Sequence, residues 1–155
     1  MSRIALVDVY VLRGSGADFE VLMLRRAPGG KRAGTRECVH GKIEPGESAA
    51  QAAFRELREE TGCEAATLYN LSRVEHFYVQ ASDEVVLIPV FAAFLADGAQ
   101  ITLSDEHSEF RWLRPDDARP LWTWPRAERS IDDAVRLLGG GDAGLVENVL
   151  RIRPP

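Results

Sequence analysis

The sequence predicts an α/β/α sandwich, a mixed β-sheet between helices. Three observations carry this. Apolar runs of strand length occur in both halves of the chain, two stretches place apolar residues at helical spacing, and the order is strands, helix, strands, helix with no internal repeat. At 155 residues the chain suits one domain spanning residues 1–155, and 45% hydrophobic with 28% charged residues is the balance of a chain that folds on its own core.

Residues 4–12 and 19–24 are apolar and rich in β-branched side chains. The Gly-Ser-Gly-Ala-Asp segment between them makes a hairpin the expected reading. Residues 27–36, APGGKRAGTR, are a basic loop, because Gly and Pro forbid regular structure there. A short extended segment follows at 38–40, then a turn at 41–46. A helix is expected over Ala49–Thr61, with Ser48 a better cap than Glu47 and Gly62 as the stop; Ala50, Ala53, Phe54 and Leu57 form its inward stripe. Residues 68–79 and 85–95 read as strands joined by a polar turn at 80–84, the second apolar enough to be central. After a loop at 97–106 come a short strand at 110–113 and a helix at 127–138 with Ile131, Ala134, Val135 and Leu138 on one side. Residues 139–141 break that helix, and a last short helix is expected over 145–152.

The net charge of −5, from 19 basic and 24 acidic residues, argues against a nucleic-acid polymer as partner, since that surface needs a basic excess. A small phosphorylated ligand remains open, with divalent cations to offset repulsion. Cys38 and Cys63 form no CxxC pair, and no charged segment precedes an apolar one at the start, so a reducing cytoplasm is expected. The longest apolar run, residues 85–96 broken by Pro89, falls short of the roughly 20 residues of a membrane span, so no membrane role is expected.

The chemistry concentrates in residues 41–63, GKIEPGESAAQAAFRELREETGC. On a helix, Glu56, Glu59 and Glu60 share one face within roughly a 100° arc, where like charges disfavour the helix unless a cation neutralises them. Oxygen ligands at this spacing suit Mg2+ or Mn2+. An isolated EXXEE is more often only a solvated, salt-bridged face, and here the surrounding residues reverse that reading. Gly41, Gly46, Glu47, Arg55, Leu57 and Gly62 stand where a loop–helix–loop phosphate site needs them.

This stretch resembles the Nudix box, G-x5-E-x7-R-E-U-x-E-E-x-G-U with U apolar, at Gly41, Glu47, Arg55, Glu56, Leu57, Glu59, Glu60 and Gly62. Cys63 at the last U is a departure, read as a small packed hydrophobe and not as a catalytic thiol. The resemblance implies the Nudix fold and a pyrophosphatase acting on nucleoside diphosphates linked to another moiety by water attack at phosphorus. By position it implies metal ligation by Glu56, Glu59 and Glu60, with the His40 carbonyl as a further ligand. Glu47 and Arg55 would hold the loop to the helix. Related enzymes take another Glu six residues before a late Trp, which here is Glu106 before Trp112, a metal ligand or base unless it is one of a plain acidic loop with Asp105 and Glu109.

Candidate substrate contacts are Arg26, Lys31, Arg32 and Arg36 for phosphates, though basic loops are also simply solvated. His40 and His107 can hydrogen-bond phosphate, but a lone His is more often structural. Trp122 and Trp124, in RPLWTWPRAERSI, suit either stacking on a base or pterin ring or plugging a sheet edge. This tail is similar to Nudix enzymes of the dihydroneopterin triphosphate type. The expected substrate is thus a nucleoside triphosphate or such a relative, against a dinucleoside polyphosphate or nucleotide sugar, or a binding module without turnover. A homodimer is left open.

Overall fold

The computed structural model describes residues 2–154. Nine strands form one mixed sheet: β1 Ser2–Ile4, β2 Leu6–Arg13, β3 Glu20–Arg26, β4 Arg36–Glu37, β5 Val39–Lys42, β6 Ala65–Val79, β7 Glu84–Leu95, β8 His107–Leu113 and β9 Arg151–Ile152. The helices are α1 Ala49–Thr61, α2 Pro115–Ala118, α3 Arg126–Leu138 and α4 Glu147–Leu150. The sheet runs β4-β3-β2-β7-β6-β9, with β1 on β7, β5 on β2 and β8 on β3. The β1–β7 and β2–β7 pairs are parallel and the rest antiparallel.

The hairpin expected at the start closes only at its turn, where Leu12 faces Val21 and Arg13 faces Glu20. Nearer its beginning β2 exchanges β3 for β5, with Asp8 opposite His40 and Val7 opposite Gly41. This splay opens the sheet at β4 and β5, beside the N-terminal half of β2.

Side chains alternate across a strand, so β2 feeds two cores. Val7, Val9 and Val11 join Leu22, Leu24, Phe91 and Ala93 under Ala52, Ala53 and Leu57 of α1. Tyr10 and Leu12 join Val21, Met23 and Val90 under Ala127, Ile131, Ala134 and Leu138 of α3. Burying a leucine such as Leu57 or Leu138 stabilises by about 2 kcal/mol each, an upper estimate given a partly collapsed unfolded chain. Val135, expected on the inward stripe of α3, is 42% exposed, because Ile131, Ala134 and Leu138 already fill the face that meets the sheet.

The last element differs from expectation. Residues 144–146 form a 3-10 turn and Glu147–Leu150 a single helical turn. Arg151 and Ile152 then pair with Tyr69 and Leu68 as strand. Two residues carry no periodicity of their own, so the free edge of β6 decides their conformation. Strand β6 begins at Ala65 and β8 at His107, both three residues before expectation. No helix among the described residues is long and apolar enough to cross a membrane.

Candidate active site

Helix α1 begins with a reciprocal cap: the Ser48 side chain accepts from the Gln51 backbone N–H, and the Gln51 side chain accepts from that of Ser48. It ends at Gly62, whose φ of 70° suits a residue without Cβ. Between these ends the helix lays Glu56 and Glu60 against β5 while Glu59 faces solvent. Strand β5 tolerates this approach only because residue 41 is glycine: a Cβ there would fall on the Glu56 carboxylate. Gly41→Ala therefore displaces a flexible carboxylate end and little else. We expect kcat to fall about 100-fold, since roughly an ångström of misplacement has that effect, with unfolding free energy changed by under ~1 kcal/mol. Steady-state kinetics beside a thermal melt checks both.

Arg55 clamps the loop to the helix. Its Nε and Nη2 donate to the two Glu47 oxygens at 2.9 Å each, Nη2 also to the Lys42 carbonyl at 2.8 Å, and Nη1 to Glu56 at 2.8 Å and Glu59 at 3.2 Å. Hydrogen bonding to Glu47 is the main reason its pKa is raised, so it stays charged throughout.

Glu60 is 2% exposed; its Oε2 accepts only a 3.4 Å bond from the His40 amide, and its Oε1 is buried without a partner. Burial, then the charges of Glu56 and Glu106, push its carboxyl up to about 9. Glu56 is raised too, by burial first and with Glu59 and Glu106 adding to it against Arg55. Glu106, on the loop before β8, swings in through a 3.1 Å bond from Arg26. One donor atom each from Glu60, Glu106 and His107 lies within 4.8 Å of the others. A carboxyl whose charge burial and its neighbours disfavour, with one oxygen left without a partner, is suited to a divalent cation, and the mainly carboxylate donors fit Mg2+ or Mn2+.

Glu37, 4% exposed, lies behind this cluster. Trp124 Nε1 donates to it at 3.3 Å, Arg32 approaches at 3.5 Å and Arg26 at 3.7 Å. Burial alone would raise its carboxyl, but His107, Arg32 and Trp124 outweigh burial and hold it below the usual range. Beyond lies a cavity of about 220 Å3, lined by Leu6, Arg32, His40, Phe77, Ile88, Trp124 and Arg126. It is smaller than the roughly 300–1,000 Å3 of sites for drug-sized ligands, so it suits one planar ring system. The fully buried Asp8 organises two of its walls, taking the His40 Nδ1–H at 2.6 Å and Arg126 Nε at 2.8 Å. Burial opposes the Asp8 charge, yet His40 and Arg126 prevail and lower its pKa. A larger hollow of about 890 Å3, between Arg13, Trp112 and Glu147, contains none of the clustered carboxylates.

The expected residues divide accordingly. Glu56, Glu60, Glu106 and Arg26 come together, Glu59 stands at the edge of the group on Arg55, and His40 reaches Glu60 through its amide while its ring joins the cavity wall. Trp124 lines the cavity, whereas Trp122 packs edge-on against Tyr10 at 5.9 Å as a plug. Lys31 is exposed and makes no ion pair among the described residues, and Arg36 lines a separate shallow hollow with Arg25, Glu109 and Arg111. The structure therefore brings neither to the cavity. Asp8, Glu37 and Arg126 were missed, and His107, weighed as a phosphate contact or a structural residue, is buried. The available signal was Asp8 itself, an acid inside an apolar strand, which must find partners when buried.

A sequence model of the NUDIX domain matches residues 3–134. Octanoyltransferase of Myxococcus xanthus is 36% identical over 109 residues, 69% of this chain, yet the match spans only 30% of that protein's length. Asymmetrical bis(5'-nucleosyl)-tetraphosphatase of Rattus norvegicus is 33% identical over 100 residues, covering 63% of this chain and 68% of that protein. The structure of the E. coli dihydroneopterin triphosphate pyrophosphohydrolase superposes with a TM-score of 0.69 at 25% identity, over 84% of this chain and 94% of that one.

Proposed function

Because the chain belongs to the NUDIX family of hydrolases, which act on diphosphate linkages of nucleotides, we propose that residues 1–155 act as one domain, a metal-dependent pyrophosphohydrolase of a nucleoside triphosphate or a relative such as dihydroneopterin triphosphate. The supporting observation is adjacency: the ring-sized cavity and the carboxylate cluster share a border at His40 and, through Arg32 and Trp124, at Glu37. Glu56, Glu59, Glu60 and Glu106, with the His40 carbonyl, would hold Mg2+ or Mn2+, which when bound neutralises phosphoryl oxygens and acidifies water.

The remaining work falls to the chain. Trp124 and Phe77 flank a planar ring, and Arg126 and His40 supply polar edges. Arg55 keeps Glu56 and Glu59 aimed at one place, and Arg26 does so for Glu106. Water oxygen bonds to phosphorus, its proton passes to an accessible carboxylate, Glu59 or Glu106, and the bridging P–O bond breaks with its electron pair leaving on the departing phosphate. The buried free thiols Cys38 and Cys63 suit a reducing cytoplasm.

The test is incubation with Mg2+ and a panel of nucleoside triphosphates, dihydroneopterin triphosphate, dinucleoside polyphosphates and nucleotide sugars, with released products identified beside Glu59→Gln and Glu60→Gln controls. Preferred cleavage of dinucleoside tetraphosphate would favour a second reading, supported by the rat relative. Binding without turnover on any compound would leave a binding module. Trp124→Ala is expected to raise KM about 5- to 100-fold, the range of one lost base stack, with kcat within a factor of a few. An unchanged KM would remove Trp124 from recognition.

A further inference from the structure

The His107 side chain is enclosed beside the cluster. This side chain has no solvent exposure, and neither ring nitrogen has a hydrogen-bond partner among the described residues. An imidazole left so leaves a donor and an acceptor unsatisfied, which folded chains avoid unless a further group completes the site. Its two nitrogens face different carboxylates: Nδ1 stands 4.0 Å from Glu60 Oε2, and Nε2 stands 3.7 Å from Glu37 Oε1. Both separations are too long for hydrogen bonds. The mutual 4.8 Å limit of the Glu60, Glu106 and His107 donor atoms is close to what ligands on one cation show, roughly 3–4 Å apart for bonds near 2.1 Å.

We propose that His107 is a nitrogen ligand of the cation held by Glu60 and Glu106, with Nδ1 toward the ion and Nε2–H toward Glu37. The proposal rests on the metal-dependent reading above. Histidines that ligate metals regularly donate their second ring N–H to a carboxylate, which fixes the tautomer and the ring plane. Glu37 suits that role, being buried and braced by Arg26, Arg32 and Trp124. It thereby ties the cavity's aromatic wall to the ion's coordination. An imidazole among carboxylates also selects among ions, favouring Mn2+ over Mg2+ more than an all-oxygen set does.

The test uses the full chain loaded with Mn2+. Pulsed electron paramagnetic resonance of the wild type is expected to show a directly coordinated imidazole nitrogen, its signal altered when the histidines carry 15N and lost in His107→Gln. Calorimetric titration should show Mn2+ affinity about tenfold or more weaker in His107→Gln and about tenfold weaker in Glu37→Gln, with Mg2+ affinity less affected in the former. If either variant fails to fold, the wild-type spectrum still decides. Bound Mn2+ without nitrogen coupling overturns the assignment of His107 and leaves the metal-dependent reading standing. No Mn2+ binding at all overturns both.

Discussion

Glu60→Gln is expected to lower turnover at least about a thousand-fold while making the metal-free protein more stable. The loss follows from removing a charged ligand at the centre of the carboxylate cluster, where preorganised electrostatics supplies much of the rate. The gain follows from burial. In the folded chain the Glu60 carboxyl is pushed up to about 9, against an ordinary value of 4.5. A carboxyl raised on folding contributes stability that is complete below 4.5, declines as pH climbs, and is gone above about 9. At neutral pH, without metal, the native state has then lost about 3 kcal/mol relative to pH 4 from this group. The neutral amide removes that dependence. Thermal melts in EDTA between about pH 4.5 and 9 should show a steep fall for the wild type and a flatter one for Glu60→Gln, and saturating Mg2+ should lift the wild type alone. Equal slopes, or retained turnover, would contradict this account.

Arg55→Ala should produce the largest loss of stability among single changes at the site. The guanidinium contacts three carboxylates and a backbone carbonyl with only 17% of its side chain exposed. Its removal leaves Glu47 and Glu56 without their cation, and Lys42 without a donor. Removing one partner of a fully buried pair costs roughly 3–5 kcal/mol; partial exposure here reduces that to about 2–3 kcal/mol. For a chain of this size, the melting temperature should drop by about 4–12 °C. Arg55→Lys should recover little, because an ammonium cannot span Glu47 in bidentate fashion and still reach Glu56. Full recovery by lysine would show that charge alone, not the planar fork, holds the loop.

Helix α1 was readable nearly to the residue, since its apolar spacing, the Ser48 cap and the Gly62 stop are local properties. The box that it carries was readable for the same reason. Strand β9 was not, because Arg151 and Ile152 adopt their conformation from β6, which lies far away in sequence. The helical turn α2 was missed too, being a single turn with no stripe to reveal it. At the site, the spacing of Glu106 from Trp112 located a loop carboxylate, while Glu37 and His107 gain meaning only when β3, β4 and β8 meet. The two tryptophans looked equivalent in sequence. In the chain before α3, Trp122 packs into the core while Trp124 reaches Glu37.

The clustered carboxylates of α1 sit on the side of the sheet that α1 covers, and the ring cavity sits on the side of α3. The two sides meet at His40 and at Glu37, which Trp124 braces, so only the part of the cavity away from that border changes without reaching the carboxylates. Changes at Phe77 or Ile88 alter which ring is admitted without disturbing the packing of Ala52, Ala53 and Leu57 that aims the carboxylates, whereas Trp124 and Arg126 also hold Glu37 and the buried Asp8. For an engineer this sets the order of work: libraries belong at Phe77 and Ile88, and α1 with its glycine-backed carboxylate is best kept constant.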